Sequence, residues 1–387
     1  MQDIIFFSDS KCANIYPLNI GRCESTLHFG GRSVAQQWRD ILTGIDSSFE
    51  INSRLMPTSA AGRILRSMKP GDSWGNGGNV YAIIKGEKIK HIDPEIIQPS
   101  DLLFSESAAD YFEMCGAGIS EDFEKLKLAW SVRTLSEEER EAWALQGVIV
   151  HGELDKIHLA PGAIIRSCNL NTEEGDVFLG PNSEVMEGAN IRGPFVLGEN
   201  SQLRMGAKVY GPTSIGKHCK VGGELSNVVI HDYSNKAHGG FLGNSVIGSW
   251  CNLGAETSAS NLKNTYGEIE IYSGEMKKNI KSGRTFCGLL MGDHSKTAIH
   301  TAFDTATVVG AFCNIFGSGT PPKHIPSFSW GGSDGLAEYR LEQAISTASK
   351  VLSRRGLELT PEKESEIVKL FSTTERERKE NLNLTKK

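Results

Sequence analysis

The chain has 387 residues, a length that suits two or three domains of about 100–200 residues each and excludes a single small module. With 39% hydrophobic and 23% charged residues it carries enough apolar side chains for a packed core, which excludes wholesale disorder. A net charge of -6 without a long Lys/Arg block argues against nucleic acid or an acidic membrane as main partner.

The start, Met1-Gln2-Asp3-Ile4-Ile5-Phe6-Phe7, lacks the basic segment and cleavage site of an export signal, and no apolar run reaches the length of a membrane span, so a soluble, cytoplasmic protein is expected. Residues 3–8 read as a first strand. Val34 to Leu42 has a helical pattern, and Val80 to Ile84 reads as a second strand after the turn Gly75-Asn76-Gly77-Gly78. Together they predict an α/β domain over residues 1–118, whose notable polar residues are Arg22, Arg32, Asn52 and Arg54, with Arg22 and Arg54 suited either to bind phosphates or to stabilise the local fold. Residues 119–150 read as a helical connector, in which Ser136 and Glu139 stand at capping-box spacing. The eight cysteines are scattered singly with no C-x-x-C pair, which predicts reduced, mostly buried thiols rather than a zinc site or disulfides.

From residue 151 to 332 the chain follows a six-residue beat. Leu179, Val185, Ile191, Leu197, Leu203, Val209, Ile215 and Val221 succeed one another at a constant spacing of six, several followed directly by glycine. That is the pattern of a parallel β-helix, in which each hexad forms a short strand and a corner, the aliphatic side chain points into the prism, and three hexads make one coil. After a two-residue slip the beat resumes with Val229, passes Asn235, and continues through Phe241, Ile247, Leu253 and Ala259. It returns as Met291, Thr297, Phe303, Val309 and Ile315, so residues 260–290 read as an inserted arm, with a hairpin-like alternation at Glu268 to Tyr272. Residues 333–387 read as a C-terminal helical extension, with helices over Leu336 to Leu352 and from Thr360 to about Asn381, the second capped by Thr360 with Pro361 behind it.

Candidate chemistry concentrates where the beat slips, in Lys236-Ala237-His238-Gly239-Gly240-Phe241, followed by Asn252 and Asn261. An imidazole followed by two glycines has room to take a proton from an attacking amine or hydroxyl, and carboxamides can orient the reacting groups. The same spacing also suits a turn histidine bonded to backbone. Three histidines at zinc-ligand spacing for this scaffold are not found, so no metal is expected.

The string KAHGGFLGNSVIGSWCNLGAETSASN resembles the acetyltransferase signature of the bifunctional N-acetylglucosamine-1-phosphate uridylyltransferase/glucosamine-1-phosphate acetyltransferase family, K-A-x-H-x-x-[YF]-[LV]-G-[DN]-x-x-[IL]-G-x-x-x-N-[IL]-G-A-G-T. The resemblance implies that His238 is the general base, that Phe241 stands where the family has a substrate-binding tyrosine, and that Asn252 and Asn261 are site asparagines. Arg204, in Arg204-Met205-Gly206-Ala207, resembles the family's phosphate-binding arginine. Ser226 and Gly267 replace two family lysines, Glu256 interrupts the G-A-G-T string, and Lys236, Lys263 or Lys208 are the candidates to restore the lost charge. Elements from NIYPL and INSRLMP through EVMEGANIRGPF and CGLLMGDHSK to PSFSWGG are similar to the short sugar-nucleotidyltransferase-like proteins of Bacteroidetes-type bacteria, grouped with the same family.

The resemblance implies a mainly β protein: a left-handed parallel β-helix with a shortened N-terminal α/β nucleotidyltransferase-like domain and C-terminal helices. It further implies an acyl-CoA-dependent N-acetyltransferase acting on an amino-sugar phosphate or nucleotide-linked amino sugar in cell-envelope biosynthesis. His238 is then catalytic, while Arg204, Phe241, Asn252, Asn261 and Lys236 bind substrate. Acetyl-CoA is the donor, and a homotrimer is the expected assembly. The alternatives are a sugar-1-phosphate nucleotidyltransferase using UTP or dTTP, with Mg²⁺, through the N-terminal domain, or a non-catalytic solenoid with a drifted site. The N-terminal half lacks the Gly-rich phosphate loop that the nucleotidyltransferase reading requires.

Overall fold

A computed structural model describes residues 4–76, 79–86, 90–92 and 103–384 of the chain. Its body is a left-handed parallel β-helix of about 10 turns, with helices at the ends. The inward positions form three stacked columns. On the first face Leu159, Leu179, Leu197, Ile215, Ile230, Ile247, Met291, Val309 and Ile325 lie in register, one per coil. The second face stacks Ile165, Val185, Leu203, Val221 and then Lys236. The third stacks Val150, Leu170, Ile191, Val209, Leu225, Leu242, Ala259 and Phe303. Sealing an aliphatic side chain inside such a column is worth about 1.5–3 kcal/mol, and the column repeats it coil after coil.

The expected beat therefore holds up to Val221 and after Ile247, but its phase between them is corrected. Ile230, not Val229, and Leu242, not Phe241, point inward. The chain reaches Leu225 after only four residues because Gly222-Gly223 makes a two-residue corner. Gly223 has φ +78°, and a Cβ there would stand 2.6 Å from the Gly240 carbonyl oxygen and 2.7 Å from the Lys236 amine. Since side chains alternate along a strand, the one-residue shift turns Phe241 outward.

Val229 is buried for a different reason. It belongs to the outer side of the first face, where Phe178, Val196, Val229, Val246, Leu290 and Val308 pack against the N-terminal region. That region is a five-stranded sheet in the order Ile4–Phe7, Phe49–Asn52, Asn79–Ile84, Asp72–Asn76, Lys90–Ile92, with helices α1 (Val34–Leu42) and α2 (Ser59–Ser67). The first two strands are parallel, and the hairpin of the third and fourth is antiparallel. Gly77 and Gly78, in the expected turn, lie outside the described residues. Helix α1 begins with a full capping box, Ser33 with Gln36, as the first turn's free N–H groups require.

Helices α3 (Asp110–Glu113) and α4 (Cys115–Ala129) are not a free connector: Tyr111, Phe112, Cys115, Ile119 and Leu126 complete the N-terminal core. The expected boundary after residue 118 falls inside α4. Only α5 (Glu137–Leu145), with Ser136 and Glu139 in a capping box, has no buried residue.

The inserted arm forms the hairpin Glu270–Ser273 with Lys278–Lys281. Its apolar side is taken up within the chain: Ile269, Ile271 and Tyr272 join the N-terminal core, Ser273 donates to Asn14 at 2.7 Å, and Arg284 pairs with Glu113 at 2.6 Å and with Asp110. At the C-terminus, Leu336 lies in a strand, Gly335–Glu338, and not in the expected helix, which begins later as α6 (Leu341–Ser353). The next expected helix is two, α7 (Pro361–Thr373) and α8 (Glu375–Leu384), and Thr360 caps α7 through the Lys363 N–H.

One device of the coil escaped the six-residue reading. The corner between first and second faces repeats as a four-residue unit whose third residue has a left-handed backbone: Asn182, Asn200, His218, Tyr233, Trp250, His294, Phe312 and Phe328, with φ from 54° to 63°. The last six are rings and stack on one another, with centroids 4.8, 4.1, 5.9, 4.6 and 4.9 Å apart. The ladder offsets the cost of a left-handed backbone in bulky residues. The fourth residue is a buried Ser or Cys, which accounts for Cys219, Cys251 and Cys313. All eight cysteines are free thiols.

Candidate functional site

His238 stands in the four-residue corner Ala237-His238-Gly239-Gly240 between second and third faces, exposed to solvent. Its main chain is held from inside the prism. Lys236 takes an inward position that aliphatic residues occupy in the preceding coils, is 2% exposed, and donates to the carbonyls of His238 (2.9 Å), Gly239 (2.9 Å) and Gly222 (3.3 Å). Burial pushes its ammonium down to about 8, with the Glu256 carboxylate opposing part of that effect. Lys236 was expected to touch substrate. The structure instead places its amine under the histidine turn, where the ammonium bonds three carbonyls beside an apolar column, one of which, that of Gly239, also accepts from the Glu256 N–H at 3.2 Å. Glu256, the carboxylate that interrupts the signature, lies over Gly239: a Cβ at Gly239 would fall 2.1 Å from Glu256 Oε1.

Phe241 and Asn261 come together. Both close over Gly243, where a Cβ would stand 2.5 Å from Asn261 Nδ2 and 2.6 Å from Phe241 Cζ, and Asn261 donates to Asn244 Oδ1 at 2.8 Å. Arg204 shares the corner of His238, separated from Ala237 by Gly222, and donates to Gln202 at 3.3 Å. Asn252 lies apart, outward on the second face between Asn235 and Lys296. Ser226 belongs to a third-face strand and Gly267 to the arm. Lys208 lines a third-face groove with Tyr210, and Lys263 Nζ donates to the Glu268 carbonyl at 2.5 Å.

Asn252 opens onto a cleft between the second face and the end of α6, a cavity of about 490 Å³. Lys220, Asn235, Asn252, Lys296, Arg354 and Arg355 supply its polar lining, Tyr233 and Trp250 its aromatic edge, and Ala237, next to His238, part of its wall. The arginines stand there because Gly356, at φ +69°, turns the chain at the end of α6, while Ala344, Ala348 and Leu352 of that helix pack with Phe312 and Phe328 at the end of the ladder. Lys296 donates to the His294 carbonyl at 2.8 Å, and burial holds its amine below the usual lysine range. Arg355 donates to Asn235 at 3.3 Å. None of the four cations forms an ion pair within 4.0 Å with a described carboxylate. Sequence reasoning missed this cluster because the four cations come from three separate segments and repeat no motif.

The N-terminal arginines are arranged in the opposite way. Arg54 is bonded to Asp9 at 2.7 Å and to Glu106 at 3.1 Å, Arg32 to Asp122 at 2.6 Å and Asp40 at 2.5 Å, and Arg22 to Asp293 at 3.1 Å. Burial raises Asp9, but the hydrogen bonds from Arg54 and Asn52 outweigh it and hold the carboxyl at about 2. Of the two roles open to these arginines, stabilising the local fold is the one the contacts support. No group of three His, Cys, Asp or Glu side chains suited to a metal ion occurs among the described residues, and none of their helices is long and apolar enough to cross a membrane.

No protein-family model matches the chain. A bifunctional sugar-1-phosphate nucleotidylyltransferase/acetyltransferase of Sulfurisphaera tokodaii is 32% identical over 93 residues, 24% of this chain and 23% of that protein. The match thus spans about a quarter of the curated relative. Among solved structures, the polySia-specific acetyltransferase NeuO aligns with 54% of this chain and 98% of its own at 11% identity and a TM-score of 0.31. An Arabidopsis UDP-N-acetylglucosamine acyltransferase aligns with 54% of this chain and 78% of its own, at 17% identity and a TM-score of 0.24. The N-acyltransferase AntD of Bacillus cereus, solved with dTDP and coenzyme A, aligns with 57% of this chain and 98% of its own, at 14% identity and a TM-score of 0.24.

Proposed function

We propose that the chain is an acyl-CoA-dependent N-acyltransferase whose acceptor is an amino-sugar phosphate or a nucleotide-linked amino sugar, with His238 as general base. The observation that carries this reading is the exposed His238 on a turn clamped from below by Lys236, flanked on one side by the Phe241–Asn261 pair and on the other by the cation-lined cleft. The signature around it and the bifunctional nucleotidylyltransferase/acetyltransferase activity of the partially matching Sulfurisphaera tokodaii protein support the same chemistry.

In this mechanism the acceptor's neutral amine attacks the thioester carbonyl carbon, the new C–N bond forms, and the C–S bond breaks to release the CoA thiolate. His238 takes the proton that the nitrogen loses and returns it to the thiolate or to water, so charge and protons balance. Asn261 and Phe241 border the reacting groups on the third face, Asn252 faces the cleft, and Arg204 lies two coils before the base. Lys236 is a positioning residue. The donor proposed is acetyl-CoA and the assembly a homotrimer, in which C₃ closure sets a loop of one subunit against the coil face of the next.

The test is thiol release from acetyl-CoA by the purified protein with glucosamine-1-phosphate and a panel of amino sugars. Acceptor-dependent release is expected, falling by about 10²–10⁴ in His238→Ala with the fold retained. Equal rates in wild type and variant, or no acceptor-dependent release at all, overturn the reading.

A further inference from the structure

We infer that the cleft formed by the second face and the end of α6 is a binding site for the phosphate groups of a ligand that carries at least two of them, held by Lys220, Lys296, Arg354 and Arg355. The inference uses no atom of His238, and rests on the acyltransfer reading only for which ligand uses the cleft.

Three observations carry it. Four cations converge on one cavity of about 490 Å³ with no described carboxylate paired to them, although acidic residues outnumber basic ones in the chain, 47 to 41. Elsewhere the described arginines of the interior, Arg22, Arg32, Arg54 and Arg378, each carry a carboxylate. Cations brought together without counter-charge repel one another, and such an arrangement is compensated when an anion occupies it. Second, Lys296 is largely buried in the wall, and Arg354 and Arg355 end a helix fixed by packing at Ala344, Ala348 and Leu352. Lys296 and Arg355, held by the His294 carbonyl and the Asn235 carboxamide, lose little freedom on binding. Third, the cavity exceeds what one phosphate fills, and its remaining lining suits the rest of such a molecule: the carboxamides of Asn235 and Asn252 for hydroxyls, and the edges of Tyr233 and Trp250, whose faces are stacked in the ladder, for edge contact with a ring.

The residues differ from those the family signature singles out. Neither Ser226 nor Gly267, where the family carries lysines, lines the cleft, and two of the four cations, Arg354 and Arg355, lie in the turn that follows α6.

Two sources supply this chemistry: the diphosphate of a nucleotide-linked sugar, and the phosphorylated adenosine end of coenzyme A. Calorimetric titration of the full chain with inorganic pyrophosphate, UDP and adenosine 3′-phosphate 5′-diphosphate reads binding and source together. Binding of pyrophosphate is expected, weakened by salt, and tighter for whichever nucleotide is the natural occupant. Loss of two charged contacts in Lys220→Gln/Arg354→Gln weakens it by at least about tenfold, while Lys350→Gln, on α6 outside the cleft, binds as wild type. No binding by the folded wild-type protein, or unchanged binding by the double variant, overturns the inference. The same titration on His238→Ala separates the two proposals: binding kept with transfer lost supports both. Binding lost in the cleft variant with acyl transfer intact for every acceptor removes the cleft's role and leaves the base.

Discussion

The N-terminal sheet and the second-face cleft both gather cations, and they do so for different ends. In the sheet, Arg54 lies 2% exposed between Asp9 and Glu106, and Arg32 lies between Asp122 and Asp40. Their charge is spent before any ligand arrives. In the cleft, Lys220, Lys296, Arg354 and Arg355 meet carbonyls, a carboxamide and open space. A positive side chain in a protein is informative about ligands only once its counter-charge has been looked for, because burial demands a partner and a partnered cation has little left to offer a phosphate.

The largest effect that sharpens this contrast is expected at Arg54. Arg54→Leu removes the buried guanidinium that bonds Asp9, Glu106 and the Ser105 carbonyl, leaves the partly buried Asp9 without its cation, and costs about 3–5 kcal/mol in chemical denaturation. Acid titration adds a sign. The folded Asp9 carboxyl sits at about 2 against an ordinary 3.8, so its contribution is present above pH 4 and is lost as pH falls through 2. That part of the acid transition is absent in Arg54→Leu. A stable variant with an unaltered acid limb breaks the comparison from the N-terminal side.

An intermediate effect belongs to Lys236, a cation that is buried yet paired only with carbonyls. Its folded value of about 8 lies below the ordinary 10.5, so between those pH values the unfolded chain binds more protons and stability rises with pH, by on the order of 3 kcal/mol in all. Denaturation of wild type between pH 8 and 10.5 should show that rise, and Lys236→Met should lack it. If the turn is held as described, Lys236→Met also lowers kcat for acyl transfer more than it alters KM for acetyl-CoA, a split that a loss of stability alone does not produce.

The smallest expected effect is on stability in the cleft itself. Lys220 and Arg354 are exposed and unpaired, so Lys220→Gln/Arg354→Gln should stay within about 0.5 kcal/mol of wild type. The same exchange weakens pyrophosphate binding tenfold or more if the cleft inference holds. Destabilisation as large as that at Arg54 would mean that these cations hold the fold together after all, and the contrast between the two regions would fail.

The coil was legible wherever its geometry is regular. Eight aliphatic residues at constant spacing place Leu179 to Val221 because each hexad buries one side chain whatever happens elsewhere. Between Val221 and Ile247 the count misleads, since Gly222-Gly223 and two five-residue steps shorten the path, and Val229 is apolar for contact with the N-terminal region. The error has a functional side, because Phe241 is free to border a site only when Leu242 is the inward residue. The corner ladder recurs once per coil too, but at uneven spacing after His218 and in mixed residue types, Asn, His, Tyr, Trp and Phe, that no hydrophobic count brings together.

By itself the sequence determined the repeat, its interruption by an arm, the helical stretch from Val34, the helix starts at Ser136 and Thr360, and the glycine-bearing segment that carries His238, all of them consequences of local pattern or short-range hydrogen bonding. Only the tertiary structure decided that Lys236 lies under the turn, that the N-terminal arginines are neutralised, and that Arg354 and Arg355 meet Lys220 and Lys296. Those outcomes depend on which segments far apart in the chain come to share a low-dielectric space, and charge pairing there is set by three-dimensional packing, which no spacing along the chain encodes.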